Sequence, residues 1–308
     1  MQLCEAIADV DSVSLQPRGE RLDVLVPSAE RARDALAALA PLTPRVHVVP
    51  FGDIWLRDTA PIFLHADERV LAATFAFNGW GNKYVLDNDA EVASRIAALT
   101  ELPRVANDWV LEGGSIDVDG EGTLLTTRQC LLNPNRNASM DEKALGLALA
   151  SAIGVERVLW LERGLLNDHT DGHVDTLARF VRPGVVLCME ARDTDDPNAE
   201  VLDEIARSLE RFVDAQGRRL EVVRIPSPGR IASKDGAVLP ASYVNFYIAN
   251  RTVAVPTYAS PWDDEAVDAI ARAFPGRRTV GIDARAILTG GGAFHCITQQ
   301  QPAPPKTR

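Results

Sequence analysis

Cysteine is scarce in this sequence. Cys4, Cys130, Cys188 and Cys296 are spread over 308 residues with no close-paired spacing. That argues against a disulfide framework or a zinc knuckle and predicts free thiols in a reducing compartment, the cytoplasm. No apolar run approaches the ~18 residues that a membrane span requires. The first residues, MQLCEAIADVDS, have neither a basic start nor an apolar stretch, so no secretory signal is expected. Positive charge is in deficit: 32 Lys and Arg stand against 43 Asp and Glu, a net charge of −11. Nucleic acids and anionic membranes call for a basic face, so neither is expected as a partner, and the acidic balance favours cationic ligands. Low-complexity sequence is confined to the tail, where residues 303–308 are expected to be flexible.

What is present is an ordinary globular composition, 46% hydrophobic and 24% charged. The length allows two average domains or one large α/β domain. Helical patterns begin near Ser28, Asn88, Ser139, Asp196 and Ser260. Ser139 with Glu142 reads as a capping box, and Ser260 reads as a cap. β-rich runs lie between them: 21–27, 70–77, 123–127, 174–181, 185–189, 220–225, 252–256 and 296–300. Five helices, each accompanied by strands at a period of roughly 50–65 residues, suggest a propeller-like array or a doubly wound sheet.

Four polar segments interrupt the β pattern. In DIWLRDTAP, residues 53–61, Arg57 and Asp58 alone would read as a solvated turn. In LEGGSIDVDGEG, residues 111–122, Glu112 follows an apolar run and precedes two glycines that allow close backbone approach. Asp119-Gly120 reads as a hairpin turn. In HTDGHVDTLARF, residues 169–180, an extended strand would put His169, Asp171, His173 and Asp175 on one face. That face suits a divalent metal, a metal-free acid/base centre, or plain solvent exposure. In ILTGGGAFHCITQQQP, residues 287–302, Gly290, Gly291 and Gly292 precede Cys296 and its polar neighbours. Cys130 and Cys188 lie in apolar runs and read as core thiols. Cys296 is the candidate nucleophile.

A thiol among several carboxylates suits a cationic substrate. Carboxylates raise a thiol's pKa and repel anions, whereas a guanidinium pairs with them through its planar fork of donors. Bound beside the thiol, it would also lower the thiol's pKa.

WLRDTAP, FNGWGNKY (77–84), LEGGSIDVDG, HTDGHVDTLARF, SYVNFYIAN (242–250) and GGGAFHCITQQQP together resemble the agmatine deiminase family. This is the Porphyromonas-type peptidyl-arginine deiminase branch of the guanidine-modifying, or pentein, superfamily. The resemblance runs from Asp53 to Pro302. It implies a five-bladed α/β propeller of pseudo-fivefold ββαβ modules, formed by residues 1–302 as a single domain. It implies Cys296 as nucleophile, His173 as general acid/base, and Glu112 as the residue that orients His173. Asp58, Asp175 and Trp80 would bind the guanidinium, with Asp171, His169, Gly291 and Gly292 in support. The implied reaction is deimination of agmatine to N-carbamoylputrescine through a covalent thiouronium, without metal or organic cofactor; a homodimer is compatible with it. Another guanidine deiminase, such as a peptidyl-arginine one, and a non-catalytic ligand-binding propeller are the alternatives.

This chain departs from the family pattern at several positions. It has Ala60 and Asn82 where glycine is usual, Ala293-Phe294 for Asn-Ile, and Thr176 for Asn. The last three positions put the substrate's tail in question. The family also usually begins with a Trp- and Pro-containing strand ahead of the region matching Met1, so the first module is expected to lack its N-terminal strand.

Overall fold

A computed structural model describes residues 1–11 and 13–304, so of the expected tail only 303 and 304 are described and 305–308 lie outside. Its fourteen strands form five separate small sheets among these residues. The second, third, fourth and fifth modules follow one plan. In the second, β3 (Ile62–Ala66) and β4 (Arg69–Ala76) form an antiparallel hairpin, helix α3 (Val92–Thr100) crosses over, and β5 (Arg104–Val110) pairs parallel with β4. The third module repeats this with β6 (Asp117–Val118), β7 (Thr123–Thr127), α4 (Glu142–Ile153) and β8 (Arg157–Leu161). The fourth uses β9 (Ala178–Arg182), β10 (Val185–Glu190), α5 (Ala199–Arg211) and β11 (Glu221–Pro226). The fifth uses β12 (Tyr247–Ile248), β13 (Thr252–Thr257), α6 (Asp263–Ala273) and β14 (Arg278–Asp283).

The first module holds only the parallel pair β1 (Asp23–Val26) and β2 (Arg45–Val48), joined by α2 (Ala29–Leu39). It therefore has one strand fewer than its counterparts, as the family pattern implies. Helix α1 (Gln2–Ala8) precedes it and packs on β13 and β14.

The middle strand of each three-stranded sheet is the most buried. β7, β10 and β13 are buried along nearly their whole length because a strand lies on either side and a helix covers a face. The outer parallel strands β5, β8 and β14 each begin with an exposed arginine and alternate poorly. α5 turns Val201, Leu202, Ile205, Ala206 and Leu209 inward, a helical stripe that closes the fourth module.

Some local expectations are corrected. α4 is capped by Asp141, whose carboxylate accepts the Ala144 N–H, so Ser139 and Glu142 form no capping box. α6 starts at Asp263, which accepts the N–H groups of Tyr258 and Ser260, and the Ser260 hydroxyl does not cap it. Residues 296–300 form no strand: 296 and 297 end a turn, and Thr298 bonds back to the carbonyls of Phe294 and His295. Of 174–181, only the part from Ala178 is strand, and Val174–Thr176 is a single 3-10 turn. The Asp119-Gly120 turn is as expected: Asp119 accepts the N–H of Glu121 and Thr123, and Gly120 sits at φ 80°.

Leu187, fully buried in β10, has no room to be shortened without leaving a cavity. Leu187→Ala is expected to lower unfolding free energy by ~2–5 kcal/mol in denaturant titration.

Candidate active site

The repeat places five equivalent segments, each following the outer parallel strand of a module; four of them lead on to the next module and the fifth follows β14. Asp58 and Trp55 lie between β2 and β3, and Glu112 and Gly114 between β5 and β6. His173 and Asp175 lie between β8 and β9, and Asn245 between β11 and β12. Cys296 follows β14. Residues far apart in sequence thus meet, and all are buried.

Gly114 marks the centre. A Cβ there would fall 2.7 Å from His173 Nδ1, 2.8 Å from Asp58 Oδ1 and 3.2 Å from Asp175 Oδ2, so three functional side chains converge over a backbone that only glycine allows. The Gly114 N–H donates to Asp58 Oδ1 at 2.8 Å, and Trp80 Nε1 donates to Asp58 Oδ2 at 2.9 Å. Trp80 reaches it from a backbone at φ 54°, between Gly79 and Gly81, which also have positive φ. Asn82 follows at φ 63°, a region glycine would enter without strain. His173 Nδ1 is 3.7 Å from Asp58 Oδ1, and its Nε2 is 3.2 Å from Glu112 Oε2.

Cys296 Sγ lies 3.4 Å from Asp175 Oδ2 and accepts from Asn245 Nδ2 at 3.1 Å. Its own carbonyl accepts the Arg57 N–H, tying it to the Asp58 segment. The glycine loop is there for space. A Cβ on Gly292 would stand 2.6 Å from Trp55 and 3.1 Å from Sγ, and one on Gly291 would stand 3.0 Å from His169 Nδ1.

Sequence reasoning passed over several members of this cluster. Arg136, whose side chain is wholly buried, donates from Nε to Glu112 Oε1 at 2.8 Å, from Nη1 to Asp171 Oδ2 at 2.6 Å and from Nη2 to the Thr170 carbonyl. Lys83 meets the other oxygen of Asp171 at 2.8 Å. Cys130, expected only as a core thiol, has its sulfur 3.7 Å from Glu112 Oε2. His295 Nδ1 is 2.7 Å from Asp175 Oδ2. Asn245 was legible only as part of SYVNFYIAN, yet it holds the module position that its four counterparts hold.

The expectation that an extended strand puts His169, Asp171, His173 and Asp175 on one face is corrected. Asp171 at φ 66° and Gly172 at φ 91° turn the chain, and Asp168 gathers the loop by accepting from Thr170, Gly172 and His173. The four side chains separate: His173 and Asp175 enter the cluster, Asp171 turns to Arg136 and Lys83, and His169 stays exposed, its ring 6.0 Å from that of Tyr84. Among the described residues, one other group has the donor types for a metal, namely Glu112, Cys130 and His173. Glu112 already pairs with the buried Arg136 guanidinium, whose charge opposes a cation there. Of the family departures, Thr176 bonds its own loop through the His173 carbonyl, and Phe294 is fully buried in the core.

The charges are unusual for a protein interior. Burial disfavours a charged His173, but the Asp58 carboxylate, with Glu112, outweighs it and holds the imidazole well above its ordinary pKa. Burial likewise opposes ionisation of Glu112, yet hydrogen bonding from His173 and the Arg136 charge keep it below the usual value. Asp58 is raised by burial. Asp175 is pushed up to about 6, mainly by burial. Cys296 is pushed well above the ordinary thiol, first by burial and then by Asp175 and Asp58. The resting centre therefore pairs an imidazolium with a neutral thiol.

Because folded Asp175 holds its proton more tightly than the unfolded chain does, its carboxylate weighs against the fold increasingly as pH rises from about 4 to about 6, and fully above that. Asp175→Asn is expected to be more stable than wild type at pH 7 by roughly 1–3 kcal/mol, the gain vanishing below pH ~4, in melting curves across that range.

A family model described as Porphyromonas-type peptidyl-arginine deiminase matches residues 1–302. The chain is 42% identical to the agmatine deiminase of Stutzerimonas stutzeri over 303 residues, covering 90% of this chain and 82% of that one. It is 40% identical to the agmatine deiminase of Pseudomonas aeruginosa over 303 residues, covering 91% and 82%. The solved structure of the agmatine deiminase of Enterococcus faecalis superposes with a TM-score of 0.90 at 31% identity, covering 99% of this chain and 87% of that one.

Proposed function

This chain belongs to the Porphyromonas-type peptidyl-arginine deiminase family, and from that premise we propose that it hydrolyses agmatine to N-carbamoylputrescine and ammonia. One observation carries the reading: Asp58, His173 and Asp175 converge over Gly114, with the Cys296 sulfur 3.4 Å from Asp175. A buried anionic cradle beside a thiol has the complement of a planar guanidinium. Asp175 Oδ1 is buried without a hydrogen-bond partner, which supports a donor arriving with the substrate.

The steps follow from the protonation states. The arriving guanidinium offsets the carboxylates that keep the thiol neutral, and Cys296 gives up its proton towards Asp175 Oδ2. The thiolate attacks the guanidinium carbon, forming the C–S bond and a tetrahedral adduct. His173, held protonated by Asp58 and Glu112, gives its proton to one amino group, which leaves as ammonia. The S-alkylthiouronium stays on Cys296. Neutral His173 then takes a proton from water, whose oxygen attacks the same carbon. Collapse breaks the C–S bond: the sulfur leaves as thiolate and takes back the proton held by Asp175, while the adduct's hydroxyl gives its proton to solvent as the ureido carbonyl forms.

Agmatine fits better than free arginine. An α-carboxylate calls for a cationic partner, and the two motif arginines are engaged elsewhere. Arg57 bonds the His295 carbonyl and Gln300, and Arg179 pairs with Asp117 and the Phe246 carbonyl. A small substrate also suits a sulfur on a residue only 8% exposed.

Incubation with agmatine is expected to release ammonia and the ureido product in equal amounts, and Cys296→Ala to reduce turnover by at least ~10³-fold. Turnover persisting in that variant would sink the thiouronium route. Activity is expected to be indifferent to strong chelators; its loss on chelation, restored by a divalent ion, would instead favour a metal hydrolase.

A further inference from the structure

His295 precedes the nucleophile, is buried, and takes no part in either half-reaction. Its place is nevertheless tightly set. Its N–H is shared between the side-chain oxygen of Asn245 at 3.2 Å and the Asn245 carbonyl at 3.1 Å. Its carbonyl accepts from Arg57 Nε at 3.3 Å. The ring so held brings Nδ1 to 2.7 Å from Asp175 Oδ2, much closer than the sulfur that shares that oxygen. Asp175 is thus served on one side only: Oδ2 has two donors, while Oδ1 has none. A carboxylate torsion is broad and two-fold, so without a tether the two oxygens would exchange roles.

We propose that His295 is a positioning residue whose Nδ1–H fastens Asp175 Oδ2 and so keeps Oδ1 as the acceptor for the substrate's guanidinium. The inference rests on the guanidine-hydrolase reading above. A neutral ring is the right donor for this task, because a cation would cancel the charge that the substrate needs. Burial, then the Arg179 and Arg57 guanidiniums and the His173 charge, push His295 well below the ordinary imidazole pKa. The two buried arginines therefore gain a role: they keep His295 uncharged. The titratable groups facing Asp175 are Cys296, His295, His173 and Asp58, with Arg179 and Arg57 as the fixed charges acting on it.

The experiment compares wild type, His295→Asn and His295→Leu. The asparagine amide nitrogen occupies the same bonded position as Nδ1; leucine fills the volume without a donor. Iodoacetamide labelling of Cys296 is followed against pH, with and without agmatine, and each protein's melting temperature is recorded. In His295→Leu the agmatine concentration that halves labelling is expected to rise about tenfold or more, and the break in the rate profile due to Asp175 to move up by about one pH unit. His295→Asn is expected to restore both to within about threefold and one half-unit, while melting no higher than His295→Leu. Unchanged protection and an unmoved break in His295→Leu would overturn the proposal, as would equal defects in both variants. Wild type that agmatine does not protect would overturn the substrate reading, and the shift of the break alone would then decide the role of His295.

Discussion

The centre of this protein depends on an imidazolium buried among carboxylates. His173 lies within 3.7 Å of Asp58 and 3.2 Å of Glu112, with no water-exposed side on which its charge could be screened. Removing such charges from water is costly unless each is paired and hydrogen-bonded. The surroundings meet that need one atom at a time. Trp80 and Gly114 take the two oxygens of Asp58, while Arg136 takes the far oxygen of Glu112. Arg136 is in turn answered by Asp171, and Asp171 by Lys83. The chain of pairs ends at Lys83, about one-third exposed, where solvent can meet the last charge.

Asp175 is the member left incomplete. Burial, helped by the Asp58 charge, raises its pKa more than His173, Arg179 and Cys296 lower it, and one of its oxygens has no donor. Stability alone would favour an asparagine or an apolar group there. A site that must bind a cation, and release a product with no charge at the same place, gains from a carboxylate that is uncomfortable until substrate arrives. The same logic explains Cys296. A thiol held neutral by burial and by two carboxylates is protected from adventitious chemistry, and on the proposed reaction the charge that activates it is the substrate's own.

Much of this was legible in the sequence. The five helical patterns were visible because amphipathic spacing survives in α5 and its counterparts, and the buried middle strands were visible as apolar runs. The outer strands β5, β8 and β14 were not, since Arg-led, half-exposed segments such as RVANDWV carry little alternation. Asp58, Glu112, His173, Asp175 and Cys296 stood out because charged or reactive types sit where a strand would be apolar. Two errors shared one cause. HTDGHVDTL and CITQQ were read with strand periodicity, whereas positive-φ backbone at Asp171 and Gly172, and bonds from Thr298 back along its own chain, keep them from forming strands. No local pattern announces that. Arg136 and His295 escaped notice for another reason: each looks like an ordinary surface residue until its partners, far off in sequence, are known.

Asn245 shows how the repeat itself carries information that single motifs do not. Four of the five segments that follow outer parallel strands each supply a side chain to the centre: Asp58, Glu112, the His173–Asp175 pair and Cys296. Symmetry of the modules demands that the remaining segment, between β11 and β12, supply one too. The polar residue with apolar neighbours on that segment, in SYVNFY, is Asn245, whose amide donates to the Cys296 sulfur and whose oxygen receives the His295 N–H. An amide suits this place better than a fifth carboxylate. It gives the sulfur a donor, which favours the thiolate, and adds no negative charge to a centre that already holds the thiol's proton in place too well. The repeat thus fixes where each functional residue must come from, and the electrostatics of the shared centre restrict what each can be.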